Sequence, residues 1–264
     1  YFGGVNYFNP EYEIYTRYSY SSNEKQGLSN PVVGRTIEDK NGNLWIGTEG
    51  GGLNYFNRRT REFKWYRPQE GRNSISHNNV KALYYDADKE IIWIGTHLGG
   101  MNRLDIRSGH FTHYRMEDNN RQTLPSDIVR DIIPYKDLLI VATQNGVCLF
   151  EPDSGKCRQL FKDSKEGKSI KMVADILLDS EGTLWIAATG EGVFSYRFDT
   201  RKLTNYRHDS ANPNSLSNNN VNNIMQDSQG HLWFSTSGSG LDLYHPANND
   251  FENFDKEKNG LASD

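Results

Sequence analysis

Gly42-Asn43-Leu44-Trp45-Ile46-Gly47-Thr48 is a short apolar run mounted on a glycine turn, and it returns four more times. It reappears as Ile92-Trp93-Ile94-Gly95-Thr96, Leu139-Ile140-Val141-Ala142-Thr143, Leu184-Trp185-Ile186-Ala187-Ala188 and Leu232-Trp233-Phe234-Ser235-Thr236. The anchors at 45, 93, 140, 185 and 233 are 48, 47, 45 and 48 positions apart. A period of this size marks a repeat architecture, in which each repeat buries its apolar surface against the next.

Working outward from each anchor, a glycine turn leads into a second apolar run: Gly52-Leu53-Asn54-Tyr55-Phe56, Gly100-Met101-Asn102-Arg103-Leu104, Gly146-Val147-Cys148-Leu149-Phe150, Gly192-Val193-Phe194-Ser195-Tyr196 and Gly240-Leu241-Asp242-Leu243-Tyr244. A third run closes the repeat, as in Phe63-Lys64-Trp65-Tyr66 and Phe111-Thr112-His113-Tyr114. A further run precedes the anchor. It opens at Val33, Val80, Val129, Val173 and Val221, and often ends in Asp-x-x-Gly, as at Asp39 to Gly42, Asp179 to Gly182 and Asp227 to Gly230. Four short β-type runs bounded by Gly, Asn, Asp and Ser predict a four-stranded antiparallel sheet. Apolar residues at consecutive positions predict strands covered on both faces by neighbouring sheets.

The fold class that follows is all-β: a β-propeller of four-stranded antiparallel blades. The chain of 264 residues reads as one propeller segment, with blades at about 28–70, 76–118, 124–163, 169–209 and 216–258 and a partial blade over 1–20. Gly4-Val5-Asn6-Tyr7-Phe8 repeats the post-anchor element, and Gly260-Leu261-Ala262-Ser263-Asp264 matches the approach to a next repeat, so the expectation is five full blades of a seven-bladed ring.

Composition agrees with this and excludes other classes. Hydrophobic residues make up 35%, but fifteen Tyr, twelve Phe and five Trp bring large rings to the core. Thirty basic and thirty-four acidic residues are interspersed, with none of the basic excess that a nucleic-acid surface needs. No apolar run reaches the length of a membrane helix. Neither a nucleophile elbow, a zinc-protease motif nor a phosphate loop is present, and nothing calls for a metal or cofactor. Asp86-Ala87-Asp88-Lys89-Glu90 resembles a calcium loop only in passing and reads as a hairpin turn. Cys148 and Cys157, the two cysteines, flank the turn Pro152-Asp153-Ser154-Gly155; a cross-strand bridge and a pair of packed thiols both remain open.

The stretch from Asp39 to Leu53, repeated from Asp227 to Leu241, resembles the two-component regulator propeller repeat. That family occurs in the periplasmic sensor regions of hybrid two-component system proteins of gut Bacteroidetes. The resemblance implies an extracytoplasmic sensor segment, non-enzymatic in itself, whose parent chain is a histidine kinase held in the inner membrane. It further implies an oligosaccharide ligand, signalling through changed packing of propellers or of two chains in a homodimer, and further blades and domains in the parent. The third repeat departs from the pattern, with Ile140 in the place of the tryptophan. A polysaccharide lyase or hydrolase, and a scaffold that binds protein across the blade tops, are the competing classes.

The scaffold leaves certain positions free for a ligand. Between the opening valine and the apolar residues that follow it, two positions vary: Gly34-Arg35, Lys81-Ala82, Arg130-Asp131, Ala174-Asp175 and Asn222-Asn223. Packing does not select such a set, and in a propeller these positions converge at the mouth of the central channel. The expected ligand-binding residues are therefore Arg35, Lys81, Arg130, Asp131, Asp175, Asn222 and Asn223, joined by His77 from a leading loop and His97 from the turn after an anchor. Guanidinium, ammonium and amide groups in a ring suit sugar hydroxyls, carboxylates and sulfates.

Overall fold

The computed structural model describes residues 5–9, 14–161, 164 and 166–261; the expectations resting on residues 1–4 and 262–264 lie outside the described residues. Strands β1 (Val5–Asn9) and β2 (Ile14–Tyr18) form an antiparallel pair. Five four-stranded antiparallel sheets follow, each ordered as in the sequence. The first blade holds β3 (Val33–Glu38), β4 (Leu44–Thr48), β5 (Leu53–Asn57) and β6 (Glu62–Tyr66). The second holds β7 (Val80–Asp86), β8 (Ile91–Thr96), β9 (Met101–Asp105) and β10 (His110–Tyr114). The third holds β11 (Val129–Tyr135), β12 (Leu138–Thr143), β13 (Gly146–Glu151) and β14 (Lys156–Gln159). The fourth holds β15 (Val173–Leu178), β16 (Thr183–Ala188), β17 (Gly192–Arg197) and β18 (Leu203–Tyr206). The fifth holds β19 (Val221–Gln226), β20 (Leu232–Thr236), β21 (Leu241–His245) and β22 (Asp250–Phe254). Among the described residues, helix is confined to three short turns. The all-β class and the four-stranded antiparallel blade are thus as the sequence predicts.

Two compact units divide the chain, residues 1–132 and 133–264, with the division falling inside β11. In the first unit, Trp45 and Leu53 of the first blade pack with Val80, Leu83, Ile92, Ile94 and Phe111 of the second. In the second unit, Trp185 and Val193 of the fourth blade pack with Val221, Ile224, Phe234 and Phe251 of the fifth. The second strand of a blade lies against other strands on both faces: every residue of β8 and of β16 is buried. Each buried indole removes about 150–250 Å² from water, worth about 4–6 kcal/mol at the usual coefficient.

Two polar devices repeat with the blades. In the first, the aspartate of the Asp-x-x-Gly turn binds its own turn and the anchor tryptophan at once. Asp179 Oδ1 accepts the N–H groups of Glu181 and Thr183 at 3.0 and 2.8 Å, and Oδ2 accepts Trp185 Nε1 at 2.8 Å. Asp39 does the same for Trp45 at 3.3 Å and Asp227 for Trp233 at 3.1 Å. The buried indole donor is satisfied inside the blade, as burial demands.

In the second device, a serine of the leading loop is clamped by the third strand. Ser29 N–H donates to Asn54 Oδ1 at 2.8 Å and Asn54 Nδ2 returns a bond to Ser29 Oγ at 2.8 Å. Ser76 and Asn102 repeat this pair, and Ser217 with Asp242 is the acidic version. The third and fourth blades carry Cys148 and Phe194 at the clamp position, so neither can form it.

Candidate functional site

The variable pair in the first strand has a structural origin. The register between first and second strand shifts between Val33 and Thr36, Val80 and Ala82, Val173 and Asp175, and Val221 and Asn223. These are β-bulges, which insert an unpaired residue and re-aim its side chain. Arg35, Lys81, Ala174 and Asn222 sit at these bulges, freed from the inside-outside alternation that binds the rest of the strand.

In the first unit the expected residues come together, and two of them, Arg35 and Asp131, pair with one another. Arg35 of β3 donates through Nη2 to Asp131 Oδ2 of β11 at 3.2 Å, reaching past the second blade. Asp131 is 5% exposed and also accepts the Ile132 N–H at 2.9 Å. Lys81 Nζ is hydrogen-bonded to Glu49 of the turn after the first anchor. His77 Nδ1 accepts the Asn79 N–H at 3.0 Å. Arg130 has no hydrogen-bond or ion-pair partner among the described residues.

His97 lies amid this group. Burial comes first, and then Arg130, Lys81 and His77, in pushing its imidazole below the ordinary value; Glu49 opposes them. Its Nδ1 is shielded from solvent and has no hydrogen-bond partner among the described residues. Lys81 is balanced by Glu49, and the depressed His97 imidazole carries no charge at neutral pH, so among the described residues the Arg130 guanidinium is the uncompensated positive charge of this group. Such a group can hold a carboxylate or sulfate through charge-assisted hydrogen bonds.

In the second unit the expected residues make hydrogen bonds within and between blades. Asp175, 3% exposed, accepts the Ile224 N–H at 2.8 Å and Asn223 Nδ2 at 3.4 Å, so it fastens the fourth blade to the bulge of the fifth. Asn222 is exposed and accepts a bond from Ser237 Oγ at 3.1 Å.

A cavity of about 600 Å³ opens in the second unit at the opposite strand ends, between the fourth and fifth blades. Its walls include Glu181, Trp185, Ser195, Lys202, Thr204, Tyr206 and Tyr244. Volumes of this size suit small-molecule ligands. Burial and the neighbouring Tyr206 hydroxyl raise the Tyr244 phenol well above its ordinary value, so it stays protonated. Both phenol groups donate to Asn249 Oδ1, at 2.8 and 2.9 Å. Sequence reading missed this cavity. Its signal is Ser195, which stands where the other blades carry Tyr55, Arg103, Leu149 and Leu243; in the first blade Tyr55 packs on Trp45 with ring centroids 4.7 Å apart. Among the described residues no group of three or more His, Cys, Asp or Glu is placed to hold a metal ion.

Bulged first strands, anchor tryptophans held by turn aspartates and repeated four-stranded sheets define the class as a β-propeller. The family comparison makes the assignment specific: residues 27–50, 74–97 and 215–238 are two component regulator propeller repeats. These three matches coincide with the blades that carry the serine clamp. The chain is also similar to the extracellular domain of the hybrid two component system BT3049 from B. thetaiotaomicron, at 25% identity and a TM-score of 0.75, covering 86% of this chain and 30% of that one. The extracellular domain of BT4673 from the same organism shares the fold at 18% identity and a TM-score of 0.71, with 99% and 33% covered. PorZ, a surface component of the type-IX secretion system of Porphyromonas gingivalis, shares it at 18% identity and 0.65, with 88% and 35% covered. The chain therefore spans about a third of each of these structures. Curated protein sequences contain no match. No described helix is long and apolar enough to cross a membrane.

Proposed function

We propose that this chain is part of the extracytoplasmic, periplasmic ligand-sensing region of a hybrid two-component sensor, and that its first unit binds an acidic oligosaccharide. The repeats and the similarity to extracellular domains of hybrid systems support the sensor role. The observation that carries the ligand class is the Arg130 guanidinium, unpaired among the described residues and close enough to Lys81 and His97 to depress the shielded imidazole together with that ammonium. Binding rather than turnover is its business. Closely packed blades deform little, so the signal is a change in the packing of whole propellers or of two chains, driven by the ligand's differential affinity for the two arrangements.

The test is calorimetric titration of the parent ectodomain with uronic-acid or sulfated disaccharides, with neutral disaccharides as control. Arg130→Ala removes a charge-assisted contact worth about 1.5–3 kcal/mol, or about one to two decades of affinity. Unchanged affinity in a folded Arg130→Ala protein, or equal affinity for neutral sugars, overturns the assignment to this cluster. The cavity beside Ser195 favours a second reading, in which a neutral saccharide binds in the second unit. Ser195→Tyr fills that cavity with the residue the first blade carries and abolishes binding only if this second reading holds.

A further inference from the structure

The two cysteines are placed as a pair. Cys148 lies on β13 opposite Gln159, and Cys157 lies on β14 opposite Phe150, so the two side chains share one face of the third blade, one diagonal step apart. Their sulfurs are 3.0 Å apart, and the residues are 0% and 4% exposed. No other cysteine exists in the chain.

The repeat itself shows that this is a joint departure. At the position of Cys148 the first, second and fifth blades carry Asn54, Asn102 and Asp242, each bound to a leading-loop serine. At the position of Cys157 they carry Phe63, Phe111 and Phe251, all buried. In the third blade an amide and a large ring are replaced together by two small thiols that meet. A lone buried cysteine filling space would leave the phenylalanine in place. Pro125 takes the place of the clamp serine in the same blade, so β13 has lost its polar tie to the leading loop and gained a sulfur facing β14.

We propose that Cys148 and Cys157 are a modification site, joined by a disulfide that is formed while the third blade folds and that staples β13 to β14. The sulfurs need to approach by about 1 Å to reach bonding distance. Both thiols lose a proton, one sulfur–sulfur bond forms, and the electron pair passes to an external disulfide, of a small thiol or an oxidoreductase, which leaves as two thiols. Burial and the adjacent Cys157 thiol raise the Cys148 thiol well above its ordinary value, so the folded protein holds little thiolate and the oxidant has no access to it. The bridge is therefore a folding-time staple and not a reversible switch. Glutathione disulfide supplies the oxidant in vitro, so the inference stands apart from the ligand and from the cellular compartment.

The experiment refolds the denatured, reduced protein in a glutathione redox buffer and reads thiols in denaturant together with intact mass. Both thiols should disappear with the loss of two hydrogens and no added glutathione. Tryptic digestion should yield Cys157-Arg158 joined to the peptide that carries Cys148. The folded, reduced protein placed in the same buffer should oxidise at least about tenfold more slowly. Two thiols still titratable after oxidative refolding, or glutathione attached to each, overturns the staple; equal oxidation rates from the folded and unfolded states overturn its formation during folding. Cys157→Phe restores the residue of the other blades and should fold with one free thiol, its urea midpoint indifferent to reductant while that of the parent protein falls on reduction. A reductant-independent midpoint in the parent protein also counts against the staple.

Discussion

Trp185→Ala removes the ring that couples the fourth and fifth blades. The indole is 3% exposed, its centroid lies 4.9 Å from that of Tyr244, 5.5 Å from Phe234 and 5.7 Å from Tyr206, and Nε1 donates to Asp179. Two losses combine: the transfer and cavity cost of a large ring, about 3–5 kcal/mol, and a hydrogen bond whose acceptor keeps its two backbone donors. Trp185→Phe separates them, since it retains most of the ring packing and gives up only the donor, at about 1–2 kcal/mol. Urea unfolding followed by far- and near-ultraviolet circular dichroism reads both. With a slope of about 1–3 kcal/mol per molar, the alanine variant's midpoint should fall by at least about 1 M and the phenylalanine variant's by less than half as much. A cost below about 1.5 kcal/mol for alanine, or equal costs for the two variants, refutes the claim that ring packing between the blades outweighs the hydrogen bond at this position.

Three further outcomes are expected. Arg130→Ala should raise the pKa of His97, followed by imidazole NMR titration, because after burial Arg130 is the strongest influence depressing it; an unmoved titration means the cluster is not electrostatically coupled. Asp242 is buried, and desolvation raises its carboxyl above the unfolded value of 3.8, so its contribution to stability is full below that pH and is lost as pH rises through the folded value. Asp242→Asn, the amide that Asn54 and Asn102 supply elsewhere, should therefore gain stability at neutral pH and flatten the change between acid and neutral urea midpoints; an unchanged slope refutes this. Gly95→Ala would set a Cβ 2.6 Å from Val129 Cγ1 and 2.8 Å from Ala82 Cβ, costing about 1–3 kcal/mol in thermal or urea unfolding, and the double variant Gly95→Ala/Val129→Ala should recover part of it.

The blades were legible because their signal is local. An anchor, a glycine turn and an opening valine recur within each repeat, and the Asp-x-x-Gly turn advertises its own geometry. The bulge was half visible: the run of apolar residues after Val80 or Val221 breaks at two positions, yet nothing in the sequence says that the break is an extra residue in a strand. The pairing of Arg35 with Asp131 was out of reach, since the two are far apart in sequence and meet only through tertiary packing. The bond from Ile224 N–H to Asp175 was out of reach for the same reason: nothing local to a carboxylate at a variable, polar-looking position says that the backbone of the next blade donates to it. The cavity beside Ser195 is a matter of missing volume, which shows only when the blades are aligned with one another and the small residue stands against the large ones.

The serine clamp has a consequence for how such a chain can change its specificity. Ser76 and Ser217 are tied at the base of their loops by Asn102 and Asp242, while the residues just beyond them, His77-Asn78 in one blade and Asn218-Asn219 in the other, differ in chemistry over the same anchorage. Each leading loop is in effect a socketed cassette: its root is fixed by two hydrogen bonds to the third strand, and its tip can be exchanged without disturbing the sheet that holds it. An imidazole tip and an amide tip can then be mounted on one kind of scaffold, and the repertoire of a repeat family widens by exchanging tips, with no new fold to be found.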